Sequence, residues 1–407
     1  MQKLIDHGSI RRFATKRSML LSLIAVAATA VLTGPTARAQ CPLPALTSGL
    51  HFPLGITQTD QGHLLVSETG TSVANTGRIS IVDLNGNRST LLAGLPSGIN
   101  DVNEPSGPAG IFVRGRSLYV AIGIGDAVLA GPVPGTNLPN LNPSSAIFSS
   151  VLAIHFSANI EKTTAGFTLT LADQETLANG QPVTLLNSEG ESVVLQLVAN
   201  FPDYTPNPFP FLPNNVRGVN PFDLVVVANQ VYVTDGAQNS LWQVDAPSGE
   251  FSILSSFSDI SNPLFPDLGG PFIEAVPAGL RYSDGQLLVT LFRGFPFLVG
   301  TSEVRAVDPK TGTQAPFIPG LTTALDVLPL KKGDDTHYFV LQHASAFTLP
   351  PFTSKGWLLH FETPGGPPTV IEECLNGPTS MTLDKSTGTL YVTELVGGRI
   401  VPIHVAP

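Results

Sequence analysis

Short runs of apolar and alternating residues, usually opened by Pro or Gly, are separated along this chain by clusters of turn residues, and one strand-like run returns six times in near-copy. The copies are Leu64-Leu65-Val66-Ser67-Glu68, Leu118-Tyr119-Val120-Ala121-Ile122, Val231-Tyr232-Val233-Thr234-Asp235, Leu287-Leu288-Val289-Thr290-Leu291, Tyr338-Phe339-Val340-Leu341-Gln342 and Leu390-Tyr391-Val392-Thr393-Glu394. Five β-forming residues bounded by turns are a strand, not a helix. A repeat holding several such strands predicts an all-β chain, a six-bladed β-propeller with one four-stranded blade per copy.

In the first blade the predicted strands cover Leu54 to Gln58, Leu64 to Glu68, Gly77 to Asp83 and Ser89 to Leu95, with Asp60-Gln61-Gly62 and Asn85-Gly86-Asn87 as turns. Labelled a to d from the channel outwards, the blades are expected to start near Pro53, Pro108, Asn220, Pro277, Ala324 and Gly377. All the start-to-start spacings but one are about 50 residues, as one blade requires. Blade 2 runs to more than 110 residues. Its excess falls in three segments. Gly123 to Phe148 joins strands b and c and Phe201 to Val219 joins d to the next a, so both leave one face; Asn159 to Ser192 joins c to d on the other. Alternation in Phe167 to Leu171 and in Val183 to Leu185, about Asn179-Gly180, predicts an inserted β-hairpin over 159–192. Five prolines and three phenylalanines make Phe201 to Val219 stiff and partly apolar, as in a lid or partner surface. Blade 6 stops one strand short, and Ala45 to Leu50 resembles the d strand Leu91 to Leu95, so the N-terminal strand is expected to close the last blade.

Residues 1–39 read as a secretory leader outside the fold. Lys3, Arg11, Arg12, Lys16 and Arg17 form a basic head, Met19 to Leu32 an apolar run and Ala37-Arg38-Ala39 a cleavage site. Phe13 stands directly after Arg11-Arg12, where a twin-arginine signal needs a spacer, so a Sec-type signal cleaved after Ala39 is expected, with a secreted or periplasmic product spanning 40–407. The full chain has 21 basic and 31 acidic residues; the leader takes six and one, leaving 15 against 30 and a net charge of −15. Such a product repels nucleic acid and anionic lipid. No later apolar stretch is long enough to span a bilayer as a helix, so stable membrane insertion is not expected. Two cysteines, Cys41 and Cys374, fall at outer strands of neighbouring blades and are a candidate disulfide.

Gly107-Pro108 leading to Leu118 through Gly123, Asn220-Pro221-Phe222 leading to Val231 through Asp235, and Gly294-Phe295-Pro296-Phe297 together resemble the ScyD/ScyE family of secreted propellers, related to NHL-repeat and SMP-30/gluconolactonase-like propellers. The resemblance covers about residues 45–405. It implies a propeller and offers no shared catalytic set to carry over, because propellers serve unrelated functions.

Nucleophile-elbow, zinc-helix, P-loop and EF-hand motifs are absent from the sequence. The ends of the six b strands give a column, Glu68, Ile122, Asp235, Leu291, Gln342 and Glu394, expected at the channel mouth on the face with the long loops. Oxygen donors converging from several blades suit calcium, so Glu68, Asp235 and Glu394 are candidate metal ligands and calcium the candidate cofactor. His51, Asp101, Glu104, Asp223, Glu274 and His343 are expected on neighbouring loops, and Arg293 with Gly294 to Phe297 over the same mouth. Strand-end acids also cap turns, which is the competing role for the column. The expected function is that of a monomeric binding or accessory protein, without catalytic residues, presenting Glu68, Asp235, Arg293, His343 and Glu394 to a small molecule, glycan or protein. The alternative, implied by the SMP-30 resemblance, is a calcium-dependent lactonase with His51 or His343 as proton shuttle; the Asn of that ligand set is not identifiable here.

Overall fold

The computed structural model describes residues 41–346 and 354–405; the predicted leader lies outside them. Six antiparallel sheets form the blades. Their innermost strands are Pro53–Gln58, Pro108–Arg114, Pro221–Val227, Pro277–Ser283, Ala324–Lys332 and Pro378–Asp384. Each of these strands touches the next and the sixth touches the first, so the ring closes around a channel. The six-bladed propeller that the repeat predicts is the architecture observed.

One register repeats in every blade. The first residue of the inner strand pairs with the last residue of strand b: Pro53 with Glu68, Pro108 with Ile122, Pro221 with Asp235, Pro277 with Leu291, Ala324 with Gln342, Pro378 with Glu394. Proline suits the first place of a strand, where no ladder N–H is needed. A bulge follows directly in all six strands, turning the second residue after the start toward the adjoining blade. Those bulge positions hold Gly55, Gly110, Asp223, Gly279, Asp326 and Ser380. At Gly110 a Cβ would lie 2.3 Å from Asp223 Oδ1, so the close approach of blades 2 and 3 needs glycine.

Hydroxyls near the ends of the b strands join neighbouring blades. Thr234 Oγ1 accepts from Asp223 N at 3.0 Å and donates to Ala278 O of blade 4 at 2.5 Å. Thr290 Oγ1 accepts from Gly279 N at 2.7 Å and donates to Leu325 O of blade 5 at 3.2 Å. Ser67 does the same between Gly55 N and Ala109 O. The bulged backbone groups are thereby satisfied where no sheet ladder reaches them. Between blades the buried aliphatic side chains of strands b and c, Leu64, Leu118, Val231, Leu287, Val340 and Leu390 among them, form the core.

Closure uses the N-terminal segment twice. Thr47–Ser48 pairs with Arg399–His404 as the outer strand of blade 6. Cys41 is disulfide-bonded to Cys374 in the outer strand of blade 5, with 5.6 Å between the Cα atoms. One segment therefore spans the join between two blades.

The inserted hairpin expected over 159–192 is corrected. Phe167–Thr168 adds in parallel to the outer strand of blade 1, Leu171–Ala178 is an α-helix, and Val183–Leu186 adds to the outer strand of blade 2. Alternation breaks at Thr170, whose side chain and that of Asp173 form a capping box, so the chain starts a helix before it can turn back as a strand. Buried Gln174 donates to Gly94 O at 3.0 Å, and Glu161 accepts from Thr59 Oγ1 at 2.6 Å and contacts His63 Nδ1 at 2.8 Å. The insertion is a brace between blades 1 and 2.

Candidate functional site

The column at the ends of the b strands is occupied by structural bonds. Glu68 is fully buried and accepts from His51 N at 2.5 Å, Arg78 Nη2 at 2.6 Å and Ser80 Oγ at 2.5 Å. Asp235 accepts from the backbone N–H groups of Asn220, Ala237 and Gln238 and from Trp242 Nε1, all within 3.0 Å. Glu394 takes Asn376 N at 2.8 Å and Arg399 Nε. Gln342 Oε1 takes Thr322 N at 2.7 Å. In four blades the same side chain thus ties strand b to the loop that delivers the inner strand. The calcium set Glu68, Asp235, Glu394 is not brought together: each carboxylate is turned onto donors of its own blade, and among the described residues no group of three or more His, Cys, Asp and Glu could hold a metal ion. Burial raises the Asp235 carboxyl above its ordinary range, against the pull of its N–H donors.

Arg293 and His343 are likewise structural. The Arg293 guanidinium, 4% exposed, donates to Thr301 O, Ser258 O and Glu303 Oε1. It pins the turn after strand b of blade 4 instead of reaching over the mouth. His343 is buried, its Nδ1 3.1 Å from Pro378 O and its ring against Phe292, and burial pushes its pKa down. A neutral buried imidazole holding a backbone carbonyl is ill placed for a shuttle. The two long loops of blade 2 pack on each other, Asn137 N donating to Asn215 Oδ1 at 2.8 Å, and Phe209 stacks on a Phe211 that is 66% exposed.

Chemistry gathers inside the channel. Asp223, Arg281 and Asp326 come from the inner strands of blades 3, 4 and 5. Arg281 Nη2 donates to Asp326 Oδ2 at 2.6 Å and Nη1 to Asp223 Oδ2 at 3.3 Å; the same nitrogens reach Met381 O at 3.3 Å and Leu280 O at 3.2 Å. Both carboxylates also accept backbone donors: Asp223 from Leu280 N at 2.8 Å and Leu224 N at 2.9 Å, Asp326 from Met381 N at 2.9 Å. Blades 3 to 6 are joined through this one cluster.

The charges are tuned by burial and by each other. Loss of water pushes the Asp223 carboxyl up to about 7, with Arg281 opposing and Asp326 adding to the rise. Asp326 is also raised by burial, against Arg281. Burial works against the Arg281 cation, but Asp326 and Asp223 outweigh it and hold its pKa above the ordinary value. The cluster therefore changes charge near neutrality at Asp223.

Above the cluster lies a cavity of about 660 Å³. Ile56, Ile111, Phe112, Leu328, Met381 and Val405 supply apolar wall, and the charged lining side chains are Arg281, Lys331 and Lys385. These residues sit in the second halves of the inner strands and in the loops from a to b, with Val405 just past the end of the third strand of blade 6. The cavity consequently opens on the face opposite the one chosen from the sequence, where loop length was the guide. Asp223, expected on a loop, is inside the channel, and Arg281 and Asp326 were not among the expected site residues. A signal for the two acids existed: Asp223 and Asp326 both stand two places after the first residue of an inner strand, charges within the apolar first halves of those strands.

No family model matches the chain, and no curated protein is significantly similar to it. Among solved structures the chain is similar to the PQQ-bound form of aldose sugar dehydrogenase from Streptomyces coelicolor (15% identity, 89% of this chain and 97% of that chain, TM-score 0.47). It is also similar to an oxidoreductase described as a glucose dehydrogenase from Thermus thermophilus (14%, 89% and 98%, TM-score 0.45) and to a chain of the nidogen/laminin complex (11%, 84% and 94%, TM-score 0.42).

Proposed function

We propose that this chain is a secreted, monomeric binding or accessory protein that takes a small molecule into its central channel from the face carrying the a-to-b loops. The observation that carries this reading is the cavity of about 660 Å³, walled by the inner strands and floored by Arg281 between two carboxylates. Its size is that of a small-molecule site, and its wall is apolar with a few charged groups at the floor and rim, the usual composition of such sites. The basic head, apolar run and A-x-A sequence of residues 1–39 support export, and the resemblance to the ScyD/ScyE propellers supports an accessory role. The product's acidity argues against nucleic acid as partner.

Filling the channel tests the proposal. Thr382 lines it and is half-buried, so Thr382→Trp should block it with little effect on the core. Native mass spectrometry of the protein incubated with a small-molecule library should show adducts that Thr382→Trp loses. Adducts that survive the substitution would place binding elsewhere.

A further inference from the structure

The side chains lining the channel run against the composition of the chain. Beyond the leader there are two acids for every base, yet among the described residues the charged side chains lining the cavity are three bases, Arg281, Lys331 and Lys385, and no acid. Lys331 is paired at the rim with Asp284 at 2.6 Å. Lys385 is exposed and has no ion-pair partner among the described residues. At the floor, Arg281 has five N–H donors. Its two terminal nitrogens meet Asp223 Oδ2, Leu280 O, Asp326 Oδ2 and Met381 O, which accounts for four. The Nε–H has no partner among the described residues, and the side chain is 21% exposed to the channel.

We propose that the channel binds a monocarboxylate with an apolar body, its carboxylate on the Arg281 Nε–H and its hydrocarbon against Ile56, Ile111, Phe112, Leu328 and Met381. This assignment rests on the channel being the binding site and names the class of ligand. Lys385 at the mouth steers the anion inward, an attraction that salt weakens. A hydrogen bond from a cation to a carboxylate in a channel of low polarity is roughly twice as strong as a neutral one, which separates an acid from the matching alcohol. An ammonium is repelled by Arg281, Lys331 and Lys385 and finds only the neutral hydroxyls of Thr57, Tyr282 and Thr382 as side-chain acceptors on the lining. The acids behind Arg281 set the pH range. The Asp223 carboxyl, pushed up to about 7 by burial, gains a proton as pH falls through neutrality, so the incoming anion meets less negative charge behind Arg281 at lower pH.

The probes are octanoate, octan-1-ol and octylamine, titrated calorimetrically into the purified protein at pH 6 and low salt. Octanoate is expected to bind at least ten-fold more tightly than either other probe, and to weaken several-fold at pH 8. Lys385→Gln, a change at an exposed site that leaves the core alone, should weaken octanoate several-fold without changing octanol. Arg281→Gln made together with Asp223→Asn and Asp326→Asn, which strands no buried charge, should bind octanoate and octanol equally. Equal affinity of the parent protein for octanoate and octanol overturns the carboxylate assignment while leaving the channel a binding site. Absence of binding by all three probes overturns both, and a preference that survives loss of Arg281 overturns its role.

Discussion

Arg281 Nη2 lies 2.6 Å from Asp326 Oδ2 and joins the inner strands of blades 4 and 5 through a charge pair within the channel. Asp223 of blade 3 lies on the other side of the same guanidinium. The pair is poor in solvent contact, so its parts are far from independent.

Removing the guanidinium alone should be costly. Arg281→Gln leaves the two carboxylates with their backbone donors and the Ser380 hydroxyl but no counter-charge, and breaking such a buried pair typically costs about 3–5 kcal/mol. Adding Asp223→Asn and Asp326→Asn removes the stranded charge and should recover part of the loss, the remainder being the amide N–H₂ groups that then face backbone donors. Urea denaturation of the single and triple variants checks this, and a triple variant no more stable than the single one would refute it.

Asp223 predicts the sign of a pH effect. Its folded pKa of about 7 lies above that of an unfolded aspartate, so between these values the folded state holds more protons. This group's contribution is most favourable below the unfolded value and is lost as pH rises toward 7. Folding stability should therefore fall over that window in the parent protein, and the fall should shrink in Asp223→Asn. The asparagine amide turns an N–H₂ toward one of the backbone donors at Leu224 and Leu280, so the variant should also be less stable overall by about 1–3 kcal/mol. Denaturant midpoints at pH 5 and pH 8 separate the slope from the offset.

Glu68 tests the structural role of the strand-end column. It is fully buried with three donors, and Glu68→Ala would leave Arg78, whose side chain is 20% exposed, without its counter-charge. Stability should drop by about 3 kcal/mol. Channel binding of octanoate should persist in the folded fraction, and EDTA should leave the melting temperature of the parent protein in place, since the carboxylate is already filled by protein donors. A fall in melting temperature with EDTA that Glu68→Ala abolishes would restore a metal role.

The blades were legible because each copy repeats one physical requirement. A strand that must be buried on both faces reads as Leu-Tyr-Val-Thr or its equivalents, and its turns need Gly, Asn and Asp. Closure by Ala45 to Leu50 was legible for the same reason, as a copy of a d strand. The insertion was not, since Phe167 to Leu171 alternates like a strand until the Thr170–Asp173 cap claims its last residues for a helix. The channel cluster was hidden differently. Asp223, Arg281 and Asp326 lie 58 and 45 residues apart, and only the ring, which sets the bulge positions of blades 3 and 5 on either side of the inner strand of blade 4, brings them together. Acids at the ends of strand b were conspicuous in sequence because they recur, and recurrence belonged to the scaffold.

The disulfide offers the sharpest test of how the ring is held. Cys41 and Cys374 close a loop with a sequence separation of 333, and the strand it anchors, Thr47–Ser48, is only two residues long. So short a strand supplies little ladder energy of its own; Leu46 N and Leu50 N add bonds to Ile400 O at 2.8 Å and Gly398 O at 2.9 Å. In the chain-entropy account a link over so long a loop stabilises by up to about 5 kcal/mol. Cys41→Ser and Cys374→Ser should each cost about 2–5 kcal/mol, and the double variant no more than the worse single one, because both remove the same bond. Thermal melts with and without a reductant check this: reduction should shift the parent protein and leave the double variant unmoved. With the link gone, hydrogen exchange should rise first in Arg399–His404, the strand left at the edge of blade 6, before it rises in the inner strands.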